Sequence, residues 1–332
     1  MNKPLIIKPI IIFGILCICG CLSVSFLLFS SSDDIICSNS SLKKSFVSLK
    51  SNQVNQSLTQ YHHLSTLELS AIAVIVHGLN VNPQKMESII ALLVNMGIDV
   101  FSISLQGHGL NYSSSDDMDE KHARMNAFKT VSYEIWQNEF LRAYHFAKKE
   151  SLEHNVPIYF VGFSIGGLLG VDLLASQSNV SFEKLILFAP ALFVKLYCQP
   201  LKLLTCFPNL VIPSATPIDY RSNNGTPMAA YRVLFQTISH CSQFVSSKIN
   251  IPTLIFIDKN DEFISYKGLN QFIKNHHLTH WKIVPIVNES QIQPIYHHLI
   301  IDSESVGQKT WKKMVALMNH HLKSVNLVNM SY

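Results

Sequence analysis

From residue 71 onward the chain alternates short runs of β-branched and aromatic residues with longer segments of helical periodicity, and few folds accept that pattern. Near-continuous apolar runs belong to strands buried on both faces, as in a parallel sheet covered by helices. The pattern predicts strands at 71–77, 98–105, 157–162, 185–189, 253–257 and 281–286. It predicts helices at 85–95, 133–149, 165–176, 269–276 and 308–322. The fold class is therefore α/β, and with 48% apolar residues in 332 the chain has material for one large core. The alternation breaks between 191 and 247, where prolines and the polar turn Ser222-Asn223-Asn224-Gly225 replace any clear strand. An insertion of this length between two central strands reads as a cap over the carboxyl edge of the sheet. The competing reading is an ordinary crossover helix with ragged ends.

The first thirty residues differ in kind. Lys3 and Lys8 precede an uncharged run over 9–32 rich in Ile, Leu, Phe and Cys. A helix needs roughly 20 apolar residues to cross a bilayer, whereas a cleaved signal has an apolar region of roughly 7–15. Residues 1–32 are thus expected to be a signal anchor or a signal peptide, with everything after Asp33 exported. A lipid attachment site at Ile18-Cys19-Gly20-Cys21 is a third reading, opposed by the apolar residues that continue beyond Cys21. The Ser-, Asn- and Lys-rich stretch 33–68 is expected to be a linker. The domain boundaries that follow are 69–190 for the first half of the core, 191–247 for the cap and 248–325 for the second half.

Charge excludes one class of partner. Lysine and arginine number 26 against 22 acidic residues, a scattered excess of +4 with no basic stripe, so no nucleic-acid partner is expected. Of seven cysteines, three lie in the apolar segment. Cys198 and Cys206 are neighbours in sequence, but on one continuous helix they would stand about 12 Å apart, too far to bridge. A disulfide between them requires an intervening turn. No spacing resembles a zinc site. His276 and His280 would share a helix face, with no third ligand nearby.

The chemistry concentrates around Gly162-Phe163-Ser164-Ile165-Gly166. A β-run ends, a helical segment begins at once, and glycines at −2 and +2 leave room for a sharp turn that exposes the Ser164 hydroxyl. A serine hydroxyl is a weak nucleophile near neutrality and needs a base, itself oriented by an acid. The acid is expected in Asp258-Lys259-Asn260-Asp261-Glu262, which follows the strand at 253–257. Asp258 is placed to cap the turn and Glu262 to face solvent, which favours Asp261. The base is expected in Tyr296-His297-His298-Leu299-Ile300, beyond the last strand. His298, next to an apolar pair that anchors the loop, is preferred to His297. The oxyanion formed in acyl transfer requires amide donors already in place. These are expected from Ile165 and from Leu79, in the His77-Gly78-Leu79-Asn80 loop after the first core strand.

With these pieces in register, the chain resembles the α/β-hydrolase superfamily, in particular its monoacylglycerol lipase and lysophospholipase-like branch, often grouped with the serine aminopeptidases. The resemblance spans about residues 70–322 and rests on His77-Gly78, Gly107-His108-Gly109, Gly162 to Gly166 and the loops of Asp261 and His298. It implies an α/β-hydrolase fold with a helical cap inserted after the sixth strand. It also implies a Ser164–His298–Asp261 triad, Leu79 and Ile165 as oxyanion donors, a cap that recognises an acyl group, and no cofactor. The chain departs from the pattern at Ser104, where many relatives carry an aspartate before the Gly-His-Gly loop. The expected function is hydrolysis of carboxylic esters, of small molecules or lipids, by an enzyme tethered to or exported across a membrane. The alternatives are a peptidase or amidase on the same fold, which needs a cap carboxylate such as Asp219 facing Ser164, and a non-catalytic binding protein.

Overall fold

The structure is a computed structural model and describes residues 44–46, 57–113, 118–214, 216–290 and 296–324. In chain order the strands are β1 (Lys44–Phe46), β2 (Leu58–Tyr61), β3 (Ala71–Val76), β4 (Ile98–Ile103), β5 (Ile158–Phe163), β6 (Lys184–Phe188), β7 (Val211–Pro213), β8 (Gly225–Pro227), β9 (Thr253–Asp258) and β10 (Trp281–Ile286). The α-helices are α1 (Glu87–Val94), α2 (Glu120–Lys129), α3 (Tyr133–His154), α4 (Ile165–Ser176), α5 (Leu201–Leu204), α6 (Met228–Phe244), α7 (Tyr266–Asn275), α8 (Ser303–Val306) and α9 (Gln308–Lys323). Eight strands form one sheet in the order β1-β2-β4-β3-β5-β6-β9-β10, parallel from β4 to β10. Helices α1, α3, α4 and α9 pack against it.

The six expected core strands are all present, with ends moved by a residue or two. Every residue of β3, β4, β5, β6 and β9 is buried. Each fully buried Val, Ile or Leu side chain there contributes about 1.5–3 kcal/mol relative to exposure. Beside the sheet, Phe160 meets Phe140 at 5.2 Å and Phe182 at 5.4 Å between ring centroids.

Several expectations require correction. The stretch 33–68 is not wholly a linker, because β2 pairs antiparallel with β4 and β1 pairs antiparallel with β2. Leu58 and Tyr61 are buried, but a four-residue strand offers too little apolar alternation to announce itself. The region 191–247 is not wholly a cap. Its last part is α6, a crossover helix that packs Ala229, Ala230 and Val233, all fully buried, against α4 and the core. The rest, 191–227, carries the short α5 and the antiparallel hairpin of β7 and β8, and enters the core only through residues such as Ala191, Leu192 and Tyr220. Cys198 and Cys206 are free, since a 3-10 turn over Leu196–Cys198 runs almost directly into α5 and the chain never doubles back. Helix α7 stops at Asn275 and His277 takes φ 52°, so His276 and His280 share no helix face. The membrane or signal segment 1–32 lies outside the described residues. Among the described residues no helix is long and apolar enough to cross a membrane.

Candidate active site

Strand β5 hands over to α4 in a single residue. Ser164 adopts φ 53° and ψ −116°, a conformation that L-residues avoid and that surrounding structure must enforce. Its N–H donates to Phe188 O at 2.9 Å, and its carbonyl accepts from Leu168 and Ala191. The flanking glycines are required by contact. A Cβ on Gly162 would stand 2.6 Å from the Gly167 backbone, and one on Gly166 only 2.3 Å from Val76 O.

The Ser164 hydroxyl lies 2.8 Å from His298 Nε2, and His298 Nδ1 lies 2.7 Å from Asp261 Oδ2. The carboxylate accepts a hydrogen bond from Nδ1–H, which leaves Nε2 free to accept from the serine. Asp261 is fully buried, and its other oxygen accepts the N–H groups of Phe263 and Ile264 at 2.8 and 2.7 Å. Phe163 and Phe263 flank the imidazole, each with its ring centroid 5.2 Å away. Lys195, at the start of the insertion, donates to the Asp261 carbonyl.

The acidic loop holds more than the expected acid. Asp258 does cap its turn through Asn260 N–H at 2.8 Å, but it also accepts His297 Nδ1–H at 2.9 Å and Asn288 N–H at 3.1 Å. Glu262 does not simply face solvent. Its two oxygens accept the backbone N–H groups of His297 and His298 at 2.9 and 2.8 Å. The loop bearing His298 has no strand or helix of its own at that point, and these carboxylates fasten it.

The Leu79 and Ile165 amides make no hydrogen bond within the described residues, so both remain available as donors. Leu79 is carried by a loop anchored through two buried histidines. His77 Nδ1–H donates to Gly78 O at 2.8 Å while its Nε2 accepts Leu105 N–H at 3.2 Å. His108 Nε2 accepts Asn80 N–H at 2.9 Å. Burial lowers the His77 pKa to about 4 and that of His108 well below its ordinary value, so both rings are neutral at pH 7. The two histidine-glycine motifs thus join the loops after β3 and β4. At Ser104 the hydroxyl donates to His108 O at 2.9 Å. Asn111 Nδ2 bridges Ser104 O and Glu139, so the loop is anchored without an aspartate. Burial raises the Glu139 carboxyl to about 7.

A strained serine at a strand-to-helix turn, hydrogen-bonded to an oriented imidazole on a mostly parallel sheet, defines a serine hydrolase of the α/β type. The chain belongs to the serine aminopeptidase (S33) family of hydrolases, whose model matches residues 67–233. No curated protein sequence matches the chain. Several solved structures share its fold at low identity. A monoglyceride lipase from Saccharomyces cerevisiae, a soluble variant in complex with a substrate analogue, is 11% identical over 87% of this chain and 97% of its own, with a TM-score of 0.61. A lipolytic enzyme of the metagenome-derived LipS and LipT pair is 17% identical over 79% and 97%, with a TM-score of 0.58. The monoacylglycerol lipase of Paleococcus ferrophilus is 16% identical over 80% and 98%, with a TM-score of 0.55.

Proposed function

We propose that this protein hydrolyses carboxylic esters through an acyl-enzyme on Ser164. The observation that carries the reading is the continuous chain Ser164–His298–Asp261, with the Leu79 and Ile165 amides unbonded among the described residues. Ser164 Oγ attacks the ester carbonyl as His298 Nε2 takes its proton. The carbonyl oxygen gains negative charge and is met by the two amides, one of them at the N-terminus of α4. Collapse expels the alcohol, which takes the proton from His298. Water, activated by the same imidazole, then releases the acid and restores the serine. Asp261 stays ionised and stabilises the imidazolium.

A lipid-like ester suits the insertion. Leu196, Leu203, Phe207 and Ile218 are largely exposed there, and Phe263, which touches His298, is also open to solvent. Such apolar exposure fits an acyl chain or a lipid surface better than bulk water. Residues 1–32, as a membrane anchor or signal, would place the domain on the non-cytoplasmic side, at such a surface. Asp219, the cap carboxylate that the aminopeptidase alternative would use, is exposed. The test is hydrolysis of short- and long-chain nitrophenyl esters and monoacylglycerols by the full chain beside Ser164→Ala. Turnover that survives Ser164→Ala overturns the mechanism. Labelling of Ser164 by a fluorophosphonate, with amide but no ester turnover, overturns the ester reading alone.

A further inference from the structure

The segment Tyr220–Asn223 of the insertion lies along the loop that carries Leu79. Asn82 N–H donates to Tyr220 O at 2.8 Å and Ser222 N–H to Asn80 O at 2.9 Å, with an antiparallel bridge between Val81 and Arg221. The Asn80 side chain then closes a reciprocal pair. Its Oδ1 accepts Asn223 N–H at 2.9 Å and its Nδ2 donates to Asn223 O at 2.9 Å. Both asparagines are buried, and Asn80 is bonded on its other side to His108. At the opposite end of the same segment, Tyr220 OH donates to Asp302 Oδ1 at 2.9 Å. Asp302 caps α8 by accepting Ser305 N–H at 2.7 Å, and the buried Leu299, Ile300 and Ile301 separate it from His298.

Four residues of the insertion therefore touch both the loop of the oxyanion donor and the loop of the histidine. We infer that Asn80 is a positioning residue for the Leu79 amide, acting through the strap Tyr220–Asn223, and that Tyr220 ties the strap to the loop of His298. The inference rests on the reading of Leu79 as an oxyanion donor.

A rival account of Asn80 is conformational. Asn80 has φ 56°, a region asparagine tolerates better than most residues. Glycine separates the two accounts, because it accepts that φ without penalty and lacks the side-chain bonds. An oxyanion donor acts chiefly on the transition state, so its displacement lowers kcat while KM stays put. Outright loss of one donor costs about 10²–10³ in kcat, and a displaced donor should cost about tenfold.

The experiment compares wild type, Asn80→Gly and Tyr220→Phe in the full chain, with nitrophenyl butyrate turnover, the rate and stoichiometry of fluorophosphonate labelling, and thermal midpoints. For Asn80→Gly the inference expects kcat and labelling rate to fall about tenfold, with KM within about twofold and every chain finally labelled. For Tyr220→Phe it expects a smaller fall in kcat, about threefold. An Asn80→Gly enzyme within about twofold of wild type in both rates overturns it, whatever its midpoint. So does a loss explained by a reduced labelled fraction, which marks a merely structural residue. If Asn80→Gly fails to fold, Tyr220→Phe decides, and unchanged rates overturn the strap. Should wild type label but turn over no ester, the ester reading fails, while the labelling rates still judge the positioning role.

Discussion

Glu262 gives the sharpest test of how the histidine is held. Its two oxygens accept adjacent amides, those of His297 and His298, across 35 residues of chain. Hydrogen bonds to a charged group are worth about 1.5–3 kcal/mol each when buried. Glu262 is only half-buried, so about 1 kcal/mol per bond is the fair figure. Glu262→Ala should then cost about 2 kcal/mol of loop order, which corresponds to as much as about thirtyfold if the whole of it appears in the transition state. We expect kcat on a nitrophenyl ester to fall about tenfold, because Asp261 and the Asp258–His297 pair still hold part of the loop. Glu262→Gln keeps one acceptor oxygen and should lose roughly half as much on a logarithmic scale. The assay is steady-state kinetics with a thermal midpoint for each variant. If Glu262→Ala matches wild type in kcat and midpoint, the clamp contributes nothing and the reasoning is refuted.

Two further outcomes concern stability. His77 has its folded pKa lowered to about 4 against an ordinary 6.5, so the unfolded chain binds the proton more readily between those values. The stability that follows is fully present above about pH 6.5 and is lost as pH falls towards 4, by up to about 3 kcal/mol. Chemical denaturation at pH 7 and pH 4.5 should show it, and His77→Asn should flatten that dependence; an unchanged slope would argue against a neutral buried ring. Lys184, nearly buried on β6, donates to His321 O and Leu322 O at 2.9 Å and to Ser324 O at 2.6 Å, capping the C-terminal end of α9. Lys184→Met should lower stability by about 2 kcal/mol with kcat unaltered, as read by denaturant midpoint and ester turnover.

What could be read before folding, and what could not, follows from where each partner sits. Ser164 was legible because everything that defines it is local: a strand, a one-residue turn between two glycines, and a helix. The choice of Asp261 and His298 was legible only as a ranking, because the loop offers three carboxylates and two histidines. The fold settles the pairing by sending Asp258 to His297 and Asp261 to His298. The role of Glu262 is not legible for a physical reason, since backbone amides in a distant loop leave no mark on the side chains between. Asn80 and the turn Ser222–Gly225 were invisible as a pair on the same ground, being 143 residues apart and joined largely through main-chain atoms. The reacting groups of such a site are thus written in side-chain types at short spacing. The carboxylates and amides that hold them at working distance are written in the topology of the sheet, which brings the loops after β3, β4, β9 and β10 to a common edge. By that logic the residues most worth mutating next are those whose partners are main-chain atoms of another loop, Glu262 and Asn80 first.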